Sequence, residues 1–446
     1  MSDAAWTRAA AIYVPLMAAA FAGLLRRGTP RLFAACLLSL LWAVSGSLIV
    51  QRLNLLEGWW GFSGDGILFR GMPLELYIGW VLLWGLVPQL LFSRLAVGWC
   101  AAAMIVVDLA TMPLCGTVVR LGPQWLAGET VAAVLVLFPA LYVARWTLED
   151  SHLRLRAAMQ VAMAGMLFLF VVPEIAFVAR PGRGWEPLLS LSGWQRQAGV
   201  QMVLLLAVPG VSAVMEFAER GRGTPIPYDP PQRLVTSGMY RYCANPMQLS
   251  CALVMLAWAA LLRNGWLVAA AMVSLIYSAG IAEWDEREDL ANRFGAKWRE
   301  YRAAVHNWRL RWRPYHAGTV AQLYIAASCG PCSEVRRWLE VRRPTGLQFV
   351  DAETLPYGSI RRMRYDPGDG SRCEDGVRAM GRALEHLHLG WALAGFVLRL
   401  PLLRQFIQML MDASGLGPRL PGKVCLPDKE AELVSEVEAG RLTGRG

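Results

Sequence analysis

Three groups of residues in this chain have types and spacings that chemistry could use. The first is Cys329-Gly330-Pro331-Cys332. Two thiols three positions apart at the start of a helix can cycle between dithiol and disulfide. Thiol-disulfide enzymes start such a cycle from a helix N-terminus, and a Gly-Pro spacer lets the sulfurs approach. Cys329 is then the expected nucleophile and Cys332 the resolving thiol. Two other uses stay open: a structural pair, or zinc bound with Cys373, Cys425 or His386, whose distances along the chain are irregular for a metal site. No metal is expected. The second group is Gly223-Thr224-Pro225-Ile226-Pro227-Tyr228-Asp229-Pro230-Pro231, followed by Gly238-Met239-Tyr240-Arg241-Tyr242-Cys243-Ala244-Asn245-Pro246-Met247. This is a stiff, proline-rich loop ending in Asn245 as a helix N-cap, with Pro246 at the first helical position. The helix therefore opens with free backbone N–H groups beside Tyr240 and Tyr242. Such an end suits a carboxylate or phosphate, and the aromatic faces suit a cation such as a sulfonium. The third group is acids in or beside apolar runs: Glu75, Asp108 and Glu174. Each is either functional or partnered within the bundle.

The elements that must position these groups follow from composition. The chain has 446 residues, 55% hydrophobic and 17% charged, with a net charge of +10. An ordinary soluble domain carries about a quarter charged residues. Most of the apolar surplus lies before residue 283, so a single soluble globule, a disordered chain and a disulfide-rich secreted scaffold are excluded. Nine segments approach the length of a membrane span: 9–25, 31–50, 74–92, 95–113, 128–144, 157–178, 197–217, 246–262 and 265–282. The last two form a helical hairpin turning at Arg263-Asn264-Gly265. Cys36, Cys100, Cys115 and Cys251 fall in or beside these spans, where cysteine acts as a small hydrophobe.

Arginines in alternate loops orient the bundle with its N-terminus outside and everything after residue 283 in the cytoplasm. The expected setting is a multi-pass protein of a bacterial inner membrane. The basic run Arg293, Lys297, Arg299, Arg302, Arg309, Arg311 and Arg313 reads as a collar facing anionic lipid. Nucleic-acid binding is the rival use of such a run, and no nucleic-acid partner is expected.

The loop and hairpin together resemble the isoprenylcysteine carboxyl methyltransferase and phospholipid methyltransferase superfamily. The matching features are the Gly-Thr-Pro-x-Pro-x-x-Pro-Pro loop, the Gly-x-Tyr-Arg-Tyr-x-x-Asn-Pro-Met stretch and the tight hairpin. After it come Glu283, Asp285, Glu286, Leu290, Phe294, Gly295, Trp298, Tyr301 and Val305. The resemblance covers about 197–315. It implies transfer of a methyl group from S-adenosylmethionine to a lipidic or membrane-borne acceptor. It also implies a cofactor site lined by Tyr240, Tyr242, Asn245 and Pro246, reached by Glu283 and Glu286 from one face of the post-hairpin helix. Surface pairing, for instance of Glu283 with Arg287, is the other use of those acids. Three positions depart from the family pattern: Ala244, Gln248 and Arg287.

From residue 319 strand-like and helix-like patches alternate. Strands are expected at Val320 to Ala327 and Leu347 to Asp351, and helices at Cys332 to Val341 and Gly376 to Leu387. A hairpin turns at Pro367-Gly368-Asp369-Gly370. The stretch Trp391 to Met411 reads as packing helices, because Arg399, Pro401 and Arg404 interrupt it as a span. The strand–CxxC–helix opening resembles the thioredoxin-like, DCC-type thiol-disulfide oxidoreductases over roughly 320–414, which implies a thiol redox partner. The expected architecture is a multi-span α-helical membrane protein with a C-terminal cytoplasmic α/β thioredoxin-like domain. Its expected parts are N-terminal spans of unassigned role (1–190), a methyltransferase-like domain (191–316), the CxxC domain (319–414) and a loose tail (415–446). A methyltransferase core kept only as a membrane anchor for the redox domain is the alternative.

Overall fold

The computed structural model describes residues 3–26, 28–63, 67–179, 184–226, 229–356 and 358–418, with backbone only at 281–287 and 415–416. Seven described helices are long and apolar enough to cross a bilayer: α1 (Asp3–Leu25), α2 (Pro30–Glu57), α3 (Leu74–Leu91), α4 (Val97–Cys115), α5 (Trp125–Leu148), α6 (Leu153–Val178) and α7 (Gly193–Gly221). Two shorter apolar helices follow, α8 (Pro246–Leu262) and α9 (Gly265–Gly280). All nine expected segments are helical, and the chain is a multi-span membrane protein. Three spans carry a five-residue π-helical turn just ahead of a proline: Leu82–Leu86 before Pro88, Ala133–Leu137 before Pro139 and Leu167–Val171 before Pro173. Proline lacks the N–H and crowds the preceding turn, and a local π adjustment re-satisfies the freed carbonyls where no water can.

The chain divides into two compact units: 1–235 with 245–299, and 236–244 with 300–446. This division differs from the one drawn along the sequence. The nine residues 236–244 and the segment after 299 group with the C-terminal part, so the methyltransferase-like stretch contributes to both units.

In the first unit, α2, α3, α4 and α5 enclose a core of Trp59, Trp60, Tyr77, Trp84, Met104 and Leu137. A short antiparallel pair, β1 (Trp60–Phe62) with β4 (Val119–Leu121), joins the loops after α2 and α4. A second short pair is β2 (Leu68–Phe69) with β3 (Met72–Pro73). A further core joins α6 to α9 through Phe177, Val203, Trp258, Leu262 and Leu267. The intramembrane acids Glu75 and Glu174 have basic partners. Glu75 takes Arg8 at 2.6 Å. Glu174 takes Arg52, Arg70 at 2.6 Å and the Trp185 indole at 2.9 Å. For these two the partnered reading holds.

Helix α10 (Glu283–Ala304) begins in the first unit and ends in the second. It is broken at Gly295, whose φ of 55° and ψ of −124° favour glycine. That accounts for the Phe-Gly step in the sequence pattern.

In the second unit the sheet order is β6-β5-β7-β8. Strand β5 (Ala321–Ile325) runs parallel to β6 (Leu347–Asp351) across helix α11 (Gly330–Val341). Strand β7 (Arg364–Asp366) is antiparallel to β5, and β8 (Glu374–Asp375) is antiparallel to β7 through the expected turn. Helix α12 (Val377–Leu384) then packs with α13 (Leu389–Arg399), burying Ala379, Ala383, Ala392 and Phe396. Helix α14 (Pro401–Met411) leaves α13 at 87° across the Leu400-Pro401 step. Proline cannot continue the α13 hydrogen-bond ladder, and together the two helices are apolar enough for one broken span.

An ion cluster lies beneath α12. Glu374 accepts from Arg382 at 2.7 Å and Arg378 at 2.8 Å, while Glu385 is held by Arg382 and Arg399. Burial raises the Glu374 pKa, but the three neighbouring arginines outweigh it and bring it down to about 2. Because the folded value is depressed, this stabilisation is complete above about pH 4.5 and is lost as pH falls toward 2. Glu374→Gln should strand buried arginine charge and cost about 3–5 kcal/mol. Hydrogen exchange of peptides across 321–399 in the full-length protein should register that loss; unchanged protection would refute it.

Candidate functional site

The proline-rich loop is fixed from both ends of its sequence. The Thr224 N–H donates to the Asp229 carbonyl at 3.0 Å and its hydroxyl to the Asp229 carboxylate at 2.7 Å. That carboxylate lies 3.4 Å from Arg156, which is fully buried on α6 and also binds Asp150 at 3.0 Å. On α10, Arg293 donates to the Pro231 carbonyl. Pro227 and Tyr228 lie outside the described residues.

Helix α8 starts where the sequence places it, with Asn245 at the cap position and Pro246 opening the first turn. The Asn245 side chain does not cap, however; its amide donates to Gln248 Oε1 at 2.9 Å. That bond uses the amide N–H rather than the oxygen that would cap, and no side chain caps the first turn. An uncapped first turn retains the positive end of the helix dipole and unused N–H donors. Asn245 and Pro246 belong to the first unit. Glu283 and Glu286 fall in the first turn of α10, and their side chains lie outside the described residues, as does that of Arg287.

Tyr240 and Tyr242 belong to the second unit. They sit on and just after a 3-10 turn, Gly238–Arg241, that Gly238 opens with a φ of 61°. Tyr242 is 0% exposed, which leaves no ring face open to a ligand, and Tyr240 is 7% exposed. The Tyr242 hydroxyl donates to the Glu385 carbonyl at 2.9 Å. The Tyr240 carbonyl accepts from the Tyr301 hydroxyl at 2.8 Å. The backbone of this segment is tied to the stretch after α10: Ala244 N–H to the His306 carbonyl, Arg311 N–H to the Tyr242 carbonyl and Tyr315 N–H to the Arg241 carbonyl. The Cys243 thiol donates to the Asn307 carbonyl at 2.8 Å.

Beside this segment His386 is fully enclosed. Its Nδ1 donates to the Thr345 carbonyl at 2.7 Å and its Nε2 accepts from the Tyr365 hydroxyl at 2.9 Å. Both ring nitrogens are thereby used by the neutral form. Burial drives its pKa well below the usual histidine range, and the Arg241 guanidinium adds to the effect.

Cys329 caps α11, both thiols of the pair are half-buried, and neither is in a disulfide. The Ser333 N–H donates to the Cys329 carbonyl at 2.9 Å. No side chain caps this turn either. The loop ahead of the pair is pinned by Glu353, whose carboxylate accepts from the Ala327 N–H at 3.1 Å, the Ser328 N–H at 3.0 Å and the Ser328 hydroxyl at 2.7 Å. Burial raises the Glu353 pKa, but the Ser328 bonds outweigh it and hold it below the usual carboxylate range. Among the described residues no three His, Cys, Asp or Glu side chains are placed to hold a metal, and Cys425 lies outside them.

Sequence reasoning missed four groups here. Glu216, fully buried on α7 and 3.4 Å from Arg220, was visible as a carboxylate in an apolar run. Arg156, near the start of α6, carries no signal that sets it apart from the other loop-side arginines. Asp229 and Glu353 carry no sequence signal, since their roles come from contacts distant along the chain or from loop shape.

Residues 195–297 match the family model for phospholipid methyltransferases. The match takes in α7, the proline-rich loop, the Tyr240–Asn245 segment, the hairpin and the first part of α10. No curated protein and no solved structure gives a match.

Two measurements test this geometry. Tyr242→Phe removes one buried hydrogen bond and should cost about 1–3 kcal/mol, read as faster hydrogen exchange at both 240–244 and 383–387. Protection lost at only one of the two would contradict the shared contact. His386 is held neutral, so its stabilisation is present above the unfolded value near 6.5 and declines as pH falls below it, by up to about 1.4 kcal/mol per pH unit. Opening of 321–399 should therefore ease between pH 7 and pH 5, and His386→Gln should flatten that slope. A wild-type slope confined to below pH 4.5 would contradict it.

Proposed function

We propose that residues 191–316 form an S-adenosylmethionine-dependent methyltransferase acting on a lipidic or membrane-borne acceptor. The observation that carries this reading is the phospholipid methyltransferase match over 195–297, with the proline-rich loop and Asn-Pro helix start at its centre. The cofactor supplies an electrophilic methyl group on a sulfonium. The chain's part is to hold it and to exclude water while an acceptor atom displaces the sulfur in line. The uncapped first turn of α8 at Asn245 and Pro246 fits the cofactor's carboxylate. Glu283 and Glu286 would meet its polar groups from α10. Tyr240 and Tyr242, being buried, would act by holding the segment before Asn245 in place. The catalytic chemistry at the second unit would be thiol-disulfide exchange. The β5-α11-β6 parallel crossover, the antiparallel β7 and β8 and the CxxC at the strand-to-helix turn support a thioredoxin-like reading of 319–414. Cys329 would attack a partner disulfide and Cys332 would release the partner's thiols, closing the Cys329–Cys332 disulfide. The partner gains the two electrons that the pair loses. The expected orientation places these groups in the cytoplasm.

A second reading has specific support. The buried Tyr242 ring, Ala244 and the Asn245–Gln248 bond all depart from an open aromatic cofactor site. They favour a core that has kept the fold as a membrane anchor for the redox unit. Isothermal titration of the purified full-length protein in detergent with S-adenosylmethionine separates the two. Saturable binding that weakens about tenfold or more in Glu286→Ala, the size of one lost charge-assisted hydrogen bond, supports the methyltransferase. No binding at millimolar cofactor leaves only the anchor. For the thiols, a reversible disulfide trapped across a glutathione redox series and lost in Cys332→Ser supports exchange. A pair that never oxidises reversibly contradicts it.

A further inference from the structure

The N-terminal spans contain two carboxyls, Asp108 and Glu129, that no basic residue among the described residues pairs with. Asp108 on α4 is 2% exposed and accepts from the Trp80 indole at 3.2 Å. On α5, Glu129 lines the same cavity as Trp80, which brings the two carboxyls to one site. Other acids in the first unit's spans are treated differently: Glu75 has Arg8, Glu174 has Arg52 and Arg70, and Glu216 has Arg220. The elements packed on the Asp108–Glu129 pair bring few charges. Arg52 of α2 and Arg70 of the β2–β3 ribbon are committed to Glu174, and Tyr77 of α3 faces that same cluster. Glu75 of α3 is bound to Arg8, and Cys115 at the end of α4 is a thiol. Two carboxyls at one buried site without a neighbouring cation cannot both ionise cheaply, so a shared proton is the favoured state.

A second observation points into the same place. Glu129 lines a cavity of about 30 Å³ together with Trp60, Trp80, Trp84, Gln51 and Ser47. A space of about 10–15 Å³ admits a water, so this one has room for about two. Three groups on its lining residues want such a partner. Glu129 Oε1 is a buried acceptor, Trp60 Nε1 and Trp84 Nε1 are buried donors, and none has a hydrogen-bond partner among the described residues. Trp84 is 5% exposed. Water, which donates and accepts, satisfies both kinds; an alkali cation or an ammonium could not accept from an indole.

We propose that the Asp108–Glu129 pair is an intramembrane proton-binding site, holding one proton between two carboxyls and exchanging it through water in the tryptophan-lined cavity. The site needs no methyl transfer and no thiol chemistry, and gives the N-terminal spans a ligand of their own. The exchange is a proton transfer alone: one carboxyl O–H breaks, a water O–H forms, and the pair goes from one negative charge to two.

The test is labelling of the full-length protein in liposomes with dicyclohexylcarbodiimide, which adds to protonated carboxyls in apolar surroundings. Peptide mapping should find the adduct at Glu129 or Asp108, decreasing as pH rises, and lost in Asp108→Asn/Glu129→Gln. Glu174, ion-paired to two arginines, should stay unlabelled. Infrared spectra of the wild-type protein at neutral pH provide a readout independent of variant folding. A protonated-carboxyl C=O band that shifts in heavy water supports the site and shows that the cavity exchanges. Absence of that band, or an adduct found at neither acid, overturns the proposal.

Discussion

Tyr242 has no surface left, and that burial organises the C-terminal unit around it. Its hydroxyl donates to the Glu385 carbonyl, at the end of α12 where the buried arginine–glutamate cluster converges. The residues on either side of it are bonded by their backbone to the stretch that follows α10. A buried phenol without a partner would cost about 1–3 kcal/mol. A sequence that keeps Tyr at this position therefore also keeps the α12 carbonyl in place. The consequence is an interleaved chain: residues 236–244 leave the membrane-embedded unit, join the C-terminal one, and return at Asn245 to start α8.

Within the C-terminal unit, the segment that precedes α8 ends at Ala244, whose N–H donates to the His306 carbonyl. The neutral His386, pressed between Thr345 and Tyr365, reinforces the same region. The CxxC pair lies in that unit too, on a loop that Glu353 holds through three hydrogen bonds.

Much of this was legible in the residues, and the failures have physical reasons. The nine apolar segments were readable because a bilayer forces every spanning backbone to satisfy itself as a helix. Length and apolarity therefore suffice to find them. Strands β5 and β6, helix α11 and the Pro367–Gly370 turn were readable because alternation and turn chemistry are local signals. Asn245 is legible as a cap position but not as a cap, because its amide is turned to donate to Gln248, three residues on, and its oxygen accepts no helix N–H. Tyr240 and Tyr242 could not be read as buried, since what buries them comes from residues 301–315 and 385. The pairing of Glu174 with Arg52 and Arg70, and of Asp108 with Glu129, was equally hidden. Each joins helices more than twenty residues apart, and no periodicity reports which acids meet an arginine.

The interleaving is the claim on which the rest stands, and removal of the α/β part tests it most directly. Hydrogen exchange at residues 236–244 would be compared between the full chain and a chain ending at residue 318, both in detergent. Loss of protection at Tyr242 through Ala244 in the shortened chain, with α8 still protected beyond its first turn, is the predicted result. Full protection of that segment in the shortened chain would contradict the account.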